Sequence, residues 1–70
     1  MPLYYFHLIG RTEREIDADG LDLPTDEDAV VHATNAAREL RQEFASDDWT
    51  NWVLEVVDED GRQILRLAIA

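Results

Sequence analysis

The sequence predicts an α+β domain with the element order ββαββ, in which a single helix packs on one face of an antiparallel sheet. Three observations predict this fold. Alternating apolar residues mark strands at both ends of the chain, apolar residues recur at helical spacing over about residues 26–46, and Asp60-Gly61 supplies a tight turn between the last two strands. Seventy residues hold one hydrophobic core, so residues 1–70 are expected to form a single domain.

A first hairpin is predicted near the N-terminus. Strand periodicity over Leu3–Ile9 divides its side chains between two faces, with Tyr4, Phe6 and Leu8 on one and Leu3, Tyr5, His7 and Ile9 on the other. A turn at Gly10-Arg11 leads to a thin polar strand, Glu13–Asp17, in which Ile16 is the one clear inward candidate. Leu21 and Leu23 then alternate with Asp22 and are expected to hold a connecting segment against the core.

The helix has a well-specified start. Thr25 follows Pro24 and can cap the first turn, with Asp28 at the capping-box position, and the acidic residues 26–28 are favoured by the helix dipole. The apolar stripe that follows is mostly alanine: Ala29, Ala33, Ala36, Ala37, Leu40 and Phe44. Small side chains allow the helix to lie close to the sheet, and Leu40 and Phe44 are expected to fill the space at its far end. The helix is predicted to end at about residues 46–48.

A second hairpin is predicted at the C-terminus. Its strands are Trp52–Val57 and Gln63–Ile69, joined by the turn Asp58-Glu59-Asp60-Gly61. The core face is expected to carry Trp52, Leu54, Val56, Leu65, Leu67 and Ile69. Val53, Val57 and Ile64 are expected on the opposite face, and Trp49 in the loop before the first of these strands.

Composition argues against several function classes. The chain has 16 acidic and 6 basic residues and a formal net charge of −10, which repels phosphate backbones and anionic lipids, so no direct nucleic-acid or membrane partner is expected. It has no cysteine, which excludes disulfides, thiolate zinc sites and cysteine nucleophiles. Its longest apolar stretches reach about seven residues, well short of the ~20 that cross a bilayer, and we expect a cytoplasmic protein.

The residues that could carry chemistry do not form a recognisable site, and we predict no enzyme, cofactor or metal. If the helix covers the face of Tyr4, then His7 points away from it and cannot meet His32. His7 is therefore expected to be a hydrogen-bonding or interface residue, and His32 a solvated residue of the helix. Segments 17–22 and 58–61 lack the ligand spacing of a calcium loop and are interpreted as turns. Ser46, the only serine, has no nucleophile motif around it.

Two surfaces remain as functional hypotheses. The first belongs to a non-catalytic module that binds a protein partner, or a second copy of itself as a homodimer, through the sheet face opposite the helix or through an edge strand. The predicted interface residues are Tyr5, His7, Val53 and Val57. Covering of this face by Trp49 and arginine side chains within the monomer is the open alternative. The second is an acidic surface for a basic protein, as in antitoxins or nucleic-acid mimics, formed by residues 26–28, 47–48 and 58–60.

The chain also resembles a family of short bacterial domains of unknown function, found in rhizobia and related alphaproteobacteria. The resemblance rests on the aromatic-aromatic-His strand Tyr4-Tyr5-Phe6-His7, the Leu23-Pro24 helix start, the alanine-rich helix and the hairpin running from Trp52 through Asp58-Glu59-Asp60-Gly61. It implies a small α+β domain and supplies no catalytic residues. The acidic, Leu-Pro start of the helix is similar to the N-terminal half of HicB-type antitoxins, whose ribonuclease-H-like core covers a toxin.

Overall fold

The computed structural model describes residues 2–70, which form a five-stranded antiparallel sheet and one helix. The elements in chain order are β1 (Leu3–Ile9), β2 (Arg14–Glu15), β3 (Leu21–Asp22), α1 (Asp26–Glu43), β4 (Val53–Asp58) and β5 (Gln63–Ala68). The α+β prediction is therefore confirmed. The additional strand is β3, because the connecting segment predicted after Asp19-Gly20 pairs with β1.

Strand β1 lies inside the sheet and is paired along both of its edges. The strand order is β2-β1-β4-β5, and β1 is aligned with β4 from Tyr4, opposite Asp58, to Ile9, opposite Val53. On its other edge, β2 pairs with the end of β1 and β3 with its start. Strand β5 is different: within residues 2–70 it pairs with β4 alone, so its outer edge carries no strand.

The alanine stripe of α1 brings the helix close to the sheet, as predicted. Ala29, Ala33 and Ala37 are at most 1% exposed and pack in one cluster with the sheet and C-terminal residues Tyr4, Leu54, Val56 and Ile69. Phe6 and Leu8 pack against the same cluster. The helix therefore covers the face of β1 that carries Tyr4, Phe6 and Leu8, and the face of Tyr5 and His7 stays free of it.

The helix start is also as predicted. Thr25 has extended backbone angles, and its hydroxyl oxygen accepts a hydrogen bond from the Asp28 N–H at 3.2 Å. The Asp28 carboxylate in turn accepts from the Thr25 hydroxyl at 3.0 Å. Asp is one methylene shorter than the Glu of a full capping box, and here it reaches the hydroxyl of the cap.

The predicted end of the helix is wrong by several residues. The helix ends at Glu43, and Phe44 is its C-cap, with φ −118° and an N–H that donates to the Leu40 carbonyl. Phe44 thereby leaves the helical stripe, and it is 48% exposed instead of filling the core. The predicted burial of Ile16 and Leu21 is also wrong. The two-residue strands β2 and β3 are too short to bury these side chains, which are 57% and 38% exposed.

The register of β5 contains a bulge that periodicity did not reveal. Leu65 pairs with Val56, but Gln63 pairs with the next residue, Val57, so Ile64 is an extra residue in the ladder. A bulge interrupts the alternation of side chains along a strand. Ile64 consequently packs against the core cluster, and its prediction for the opposite face is wrong.

Candidate interaction surface

The sheet face that α1 does not cover, called here the helix-free face, carries cross-strand rows of side chains. Tyr5 lies directly opposite Val57, and Ile9 lies directly opposite Val53, at the two ends of this face. His7 lies between them, opposite Glu55. The structure therefore brings the predicted residues Tyr5, His7, Val53 and Val57 onto one surface, and all four are half-buried.

The middle row of the helix-free face is polar. Glu55 lies between His7 on β1 and Arg66 on β5, and an Arg66 Nη1 atom is 3.6 Å from Glu55 Oε2. Such a half-exposed ion pair contributes little stability, so its main effect is to place opposite charges in the centre of the surface. Glu55 and Arg66 are not among the residues predicted for this interface, although strand alternation already places them beside Val53 and Val57.

His7 is held on this face by a hydrogen bond to the backbone. Its Nδ1 atom accepts a hydrogen bond from the Asp17 N–H at 3.1 Å, an arrangement that uses the tautomer with its proton on Nε2. The imidazole stacks on the Tyr5 ring, with 6.4 Å between centroids and 15° between planes. His32 lies on the other side of the sheet, where its ring makes a T-shaped contact with the Phe6 ring, with 4.8 Å between the ring centroids. The two histidines are thus separated, as predicted.

The Asp17 side chain closes the edge of β1 between β2 and β3. Its carboxylate accepts hydrogen bonds from the N–H groups of Phe6 at 3.1 Å and of Asp19 and Gly20 at 3.2 Å. Partial burial acts to raise the pKa of Asp17, but the Phe6, Gly20 and Asp19 donors outweigh it and hold the pKa below its usual value. Asp17 falls within the predicted strand Glu13–Asp17, although its position before Asp19-Gly20 is typical of a side-chain turn.

The loop that contains Asp17 also covers one side of Tyr5. Gly20 has φ +74°, and a Cβ atom there would lie 2.9 Å from Tyr5 Cε1, so the loop backbone lies against the ring. Trp49, which was the alternative cover for this face, packs instead against the core cluster, and its indole N–H donates to the Phe44 carbonyl. The monomer therefore covers Tyr5 in part through the loop.

A second polar network lies where the start of α1 meets the last hairpin. The buried Tyr4 hydroxyl donates to Asp26 Oδ1 at 2.7 Å, and Arg62 donates to Asp26 Oδ2 at 2.9 Å and to Asp58 Oδ2 at 3.1 Å. The hydrogen bond to Asp26, with burial, raises the pKa of Tyr4 to about 12. The Tyr4 and Arg62 donors lower the pKa of Asp26.

This network joins two of the three acidic segments predicted for a basic partner. Arg62 connects Asp26 with Asp58, so residues 26–28 and 58–60 lie at the same end of the domain. Asp47 and Asp48 follow the C-terminus of α1, and the 18-residue helix separates them from that end by about 27 Å. Asp48 there accepts a hydrogen bond from the Thr50 N–H.

Among residues 2–70, no group of three or more histidine, aspartate or glutamate side chains is arranged to hold a metal ion, and no pocket is present. No helix in the described part of the chain combines the length and the apolar character needed to cross a membrane. The surface features of the described residues are thus the helix-free face, the sheet edges and the acidic end.

Asp17→Ala is expected to lower the free energy of unfolding by about 1–3 kcal/mol, because it leaves the Phe6 N–H without its acceptor. Urea unfolding measures the loss, and faster hydrogen exchange at the Phe6 amide locates it. Asp19→Ala, in the same loop, is the control and should change stability little. Equal losses in both variants would contradict the role assigned to the Asp17 carboxylate.

Tyr4 is expected to ionise only at about pH 12. Since this pKa lies above the usual value of 10.0, the stabilisation from neutral Tyr4 is complete below pH 10 and is lost as the pH rises through about 12. The pKa of Asp26 is lowered, so its contribution is present above pH 3.8 and is lost as the pH falls through its folded value. The absorbance of tyrosinate should show an ionisation at about pH 12 in the wild type and not in Tyr4→Phe. Ionisation of Tyr4 near its ordinary pKa of 10.0 would contradict this account.

The chain matches the model of a protein family described as a domain of unknown function, DUF6894, over residues 3–70. No match was found among curated proteins or among solved structures. The family match covers nearly all of the chain and includes every helix and strand described above. The resemblance to a family of unknown function is confirmed at that level, and the chain belongs to the DUF6894 family.

Proposed function

We propose that this domain is a non-catalytic protein-interaction module whose contact surface is the helix-free face. The observation that supports this most is the placement of α1, which covers one face of the sheet and leaves the other without a packed layer. An antiparallel sheet with one open face usually carries polar residues there. Here the open face carries Tyr5, Ile9, Val53 and Val57 around a polar centre.

The arrangement of this face suits a protein partner. The cross-strand pairs Tyr5–Val57 and Ile9–Val53 are half-buried, so a partner would remove their remaining apolar surface from water. Between them, the His7 Nε2–H, the Glu55 carboxylate and the Arg66 guanidinium offer directional contacts that select and orient a partner.

The charge of the chain narrows the class of partner. A formal net charge of −10 disfavours nucleic acid and anionic membranes, and we assign a protein partner or a second copy of the chain. The histidines have structural contacts on opposite sides of the sheet, with the Asp17 N–H and with the Phe6 ring, which supports a non-catalytic role.

Val53→Glu is expected to weaken association through the helix-free face by about tenfold or more, because an unpaired carboxylate would be desolvated at the contact. Val31→Glu is the matched control, since Val31 lies on the exposed side of α1 and is 59% exposed. Sedimentation over a range of concentrations measures self-association, and quantitative capture of bound proteins measures other partners. If no association of either kind differs between the two variants, the proposal is wrong.

We propose as a second candidate that the acidic end binds a basic protein, as an antitoxin-like or nucleic-acid-mimicking domain does. The observation that favours it is the Arg62 bridge, which holds residues 26–28 and 58–60 together and leaves the exposed side chains of Glu27, Glu59 and Asp60 outside the bridge.

Binding of an arginine-rich peptide is expected to fall steeply with added salt, because these exposed charges are screened. The triple variant Glu27→Gln, Glu59→Gln, Asp60→Asn should reduce it several-fold, since three charges are removed without touching the Arg62 contacts. Isothermal calorimetry measures both effects, with Asp47→Asn as the control at the other end of the helix. Affinity that is independent of salt and of the triple variant would count against this candidate.

A further inference from the structure

The two long strands that flank β4, namely β1 and β5, differ in how the side facing away from β4 is covered. Along β1, the edge that faces away from β4 is covered at one end by β2 and at the other by β3. In the gap between them, the Asp17 carboxylate accepts a hydrogen bond from the Phe6 N–H. Along β5, no strand of residues 2–70 covers the edge that faces away from β4. Unpaired edges are templates for pairing with another chain, and proteins usually protect them.

Apart from Arg66 and the bulge at Ile64, β5 lacks the features that normally protect an edge. Residues 61–70 contain no Asp, Glu, Lys or Pro, although the chain has 16 acidic residues. The two arginines of this segment are already paired, Arg62 with Asp26 and Asp58, and Arg66 with Glu55. This segment therefore carries no acidic residue in a strongly acidic protein, and Arg41 adds a positive charge where it donates to the Ile69 carbonyl. Two copies that approach here avoid the repulsion between their acidic segments.

The backbone groups available at this edge follow from the pairing with β4. The Ile69 N–H donates to the Trp52 carbonyl, so Ile69 directs its N–H toward β4. Backbone groups alternate in direction along an antiparallel strand. The N–H and C=O groups of Arg66 and Ala68 are thus directed to the outer edge. The bulge at Ile64 restricts regular pairing to the residues that follow it.

We propose that β5 pairs with β5 of a second copy of this chain, antiparallel about a two-fold axis at Leu67. This inference goes beyond the proposed function, because it places self-association at the outer edge of β5 and not on the helix-free face. With the axis at Leu67, Arg66 of each copy exchanges hydrogen bonds with Ala68 of the other, so the arginines do not face one another. An axis at Arg66 would place two like charges directly opposite.

The proposed contact between the two β5 strands is called here the seam, and its side chains fit a second copy. Leu65 and Leu67 lie on the helix side of β5, pack against the core cluster and remain half-buried. Across the axis, the two Leu67 side chains would meet at the closest separation that antiparallel strands allow. Pairing also joins the two sheets into one, so the helix-free faces of both copies become a continuous surface.

Leu67→Cys tests the seam directly, because the chain has no other cysteine. Residues opposite each other at a position that does not exchange hydrogen bonds have Cα atoms about 4.5 Å apart, within the range of a disulfide. Mild oxidation should convert most of the variant to a covalent dimer. Leu65→Cys is the matched control on the same strand and face, since four residues would separate the two cysteines by about 13 Å.

The result of the oxidation decides the register. A Leu67→Cys dimer with little Leu65→Cys dimer is the expected outcome. Preferential dimer formation by Leu65→Cys would overturn the axis at Leu67, and equal, slow crosslinking of both would overturn the seam. Circular dichroism of the reduced variants establishes that each is folded before oxidation.

Sedimentation equilibrium separates this inference from the proposed function. Ala68→Pro removes the outward N–H, and it should raise the dimer dissociation constant about tenfold or more. Added salt should strengthen the dimer, because each copy carries a charge of −10. A dimer that is disrupted by Val53→Glu and not by Ala68→Pro would overturn the seam and leave the helix-free face as the contact. A wild type that stays monomeric would overturn the seam, and capture with Val53→Glu would then decide the proposed function.

Discussion

The hydrogen bond from the Tyr4 hydroxyl to the Asp26 carboxylate fixes the relation between the sheet and the helix. Tyr4 is a buried residue of β1, Asp26 is the first residue of α1, and Arg62 extends the same contact to Asp58 at the last hairpin. Because the helix starts at this point, its alanine stripe lies over the sheet from its first turn onward. One face of the sheet is thereby covered, and the same contact determines which face stays free of the helix.

The small size of the core side chains has a consequence for function. Alanines on α1 bring the helix close to the sheet, and the large buried side chains of the core, such as Tyr4, Val56 and Ile69, come from the strands and the C-terminal segment. A domain of about this length buries only about 60% of the surface of its unfolded chain. Apolar side chains such as Val53 and Val57 then remain on the opposite face, half-buried by their strand neighbours and by the loop at Gly20.

Features encoded locally were predictable from the sequence, and features that depend on distant contacts were not. Alternation gave the faces of β1, and Thr25 gave the start of the helix, because each rests on neighbours within a few residues. The bulge at Ile64 depends on how β5 meets β4, and no local pattern carries that information. Asp17 differs, because its position before Asp19-Gly20 is a local turn signal and only its hydrogen bond from the Phe6 N–H depends on a distant contact. The four predicted face residues were brought together because strand alternation alone decides their side.

The two edges of the sheet connect these observations to assembly. Covering the β1 edge requires two short strands and the Asp17 carboxylate, which holds Phe6, Asp19 and Gly20 through three backbone hydrogen bonds. The outer edge of β5, in contrast, is covered by no strand of residues 2–70, and residues 61–70 contain no acidic residue and no proline. An exposed edge of this composition favours pairing, and the acidic charge over the rest of the chain opposes contact elsewhere. Edge composition and net charge are thus the two properties behind the proposed pairing of a second copy at β5, a pairing that would leave the helix-free faces of both copies open.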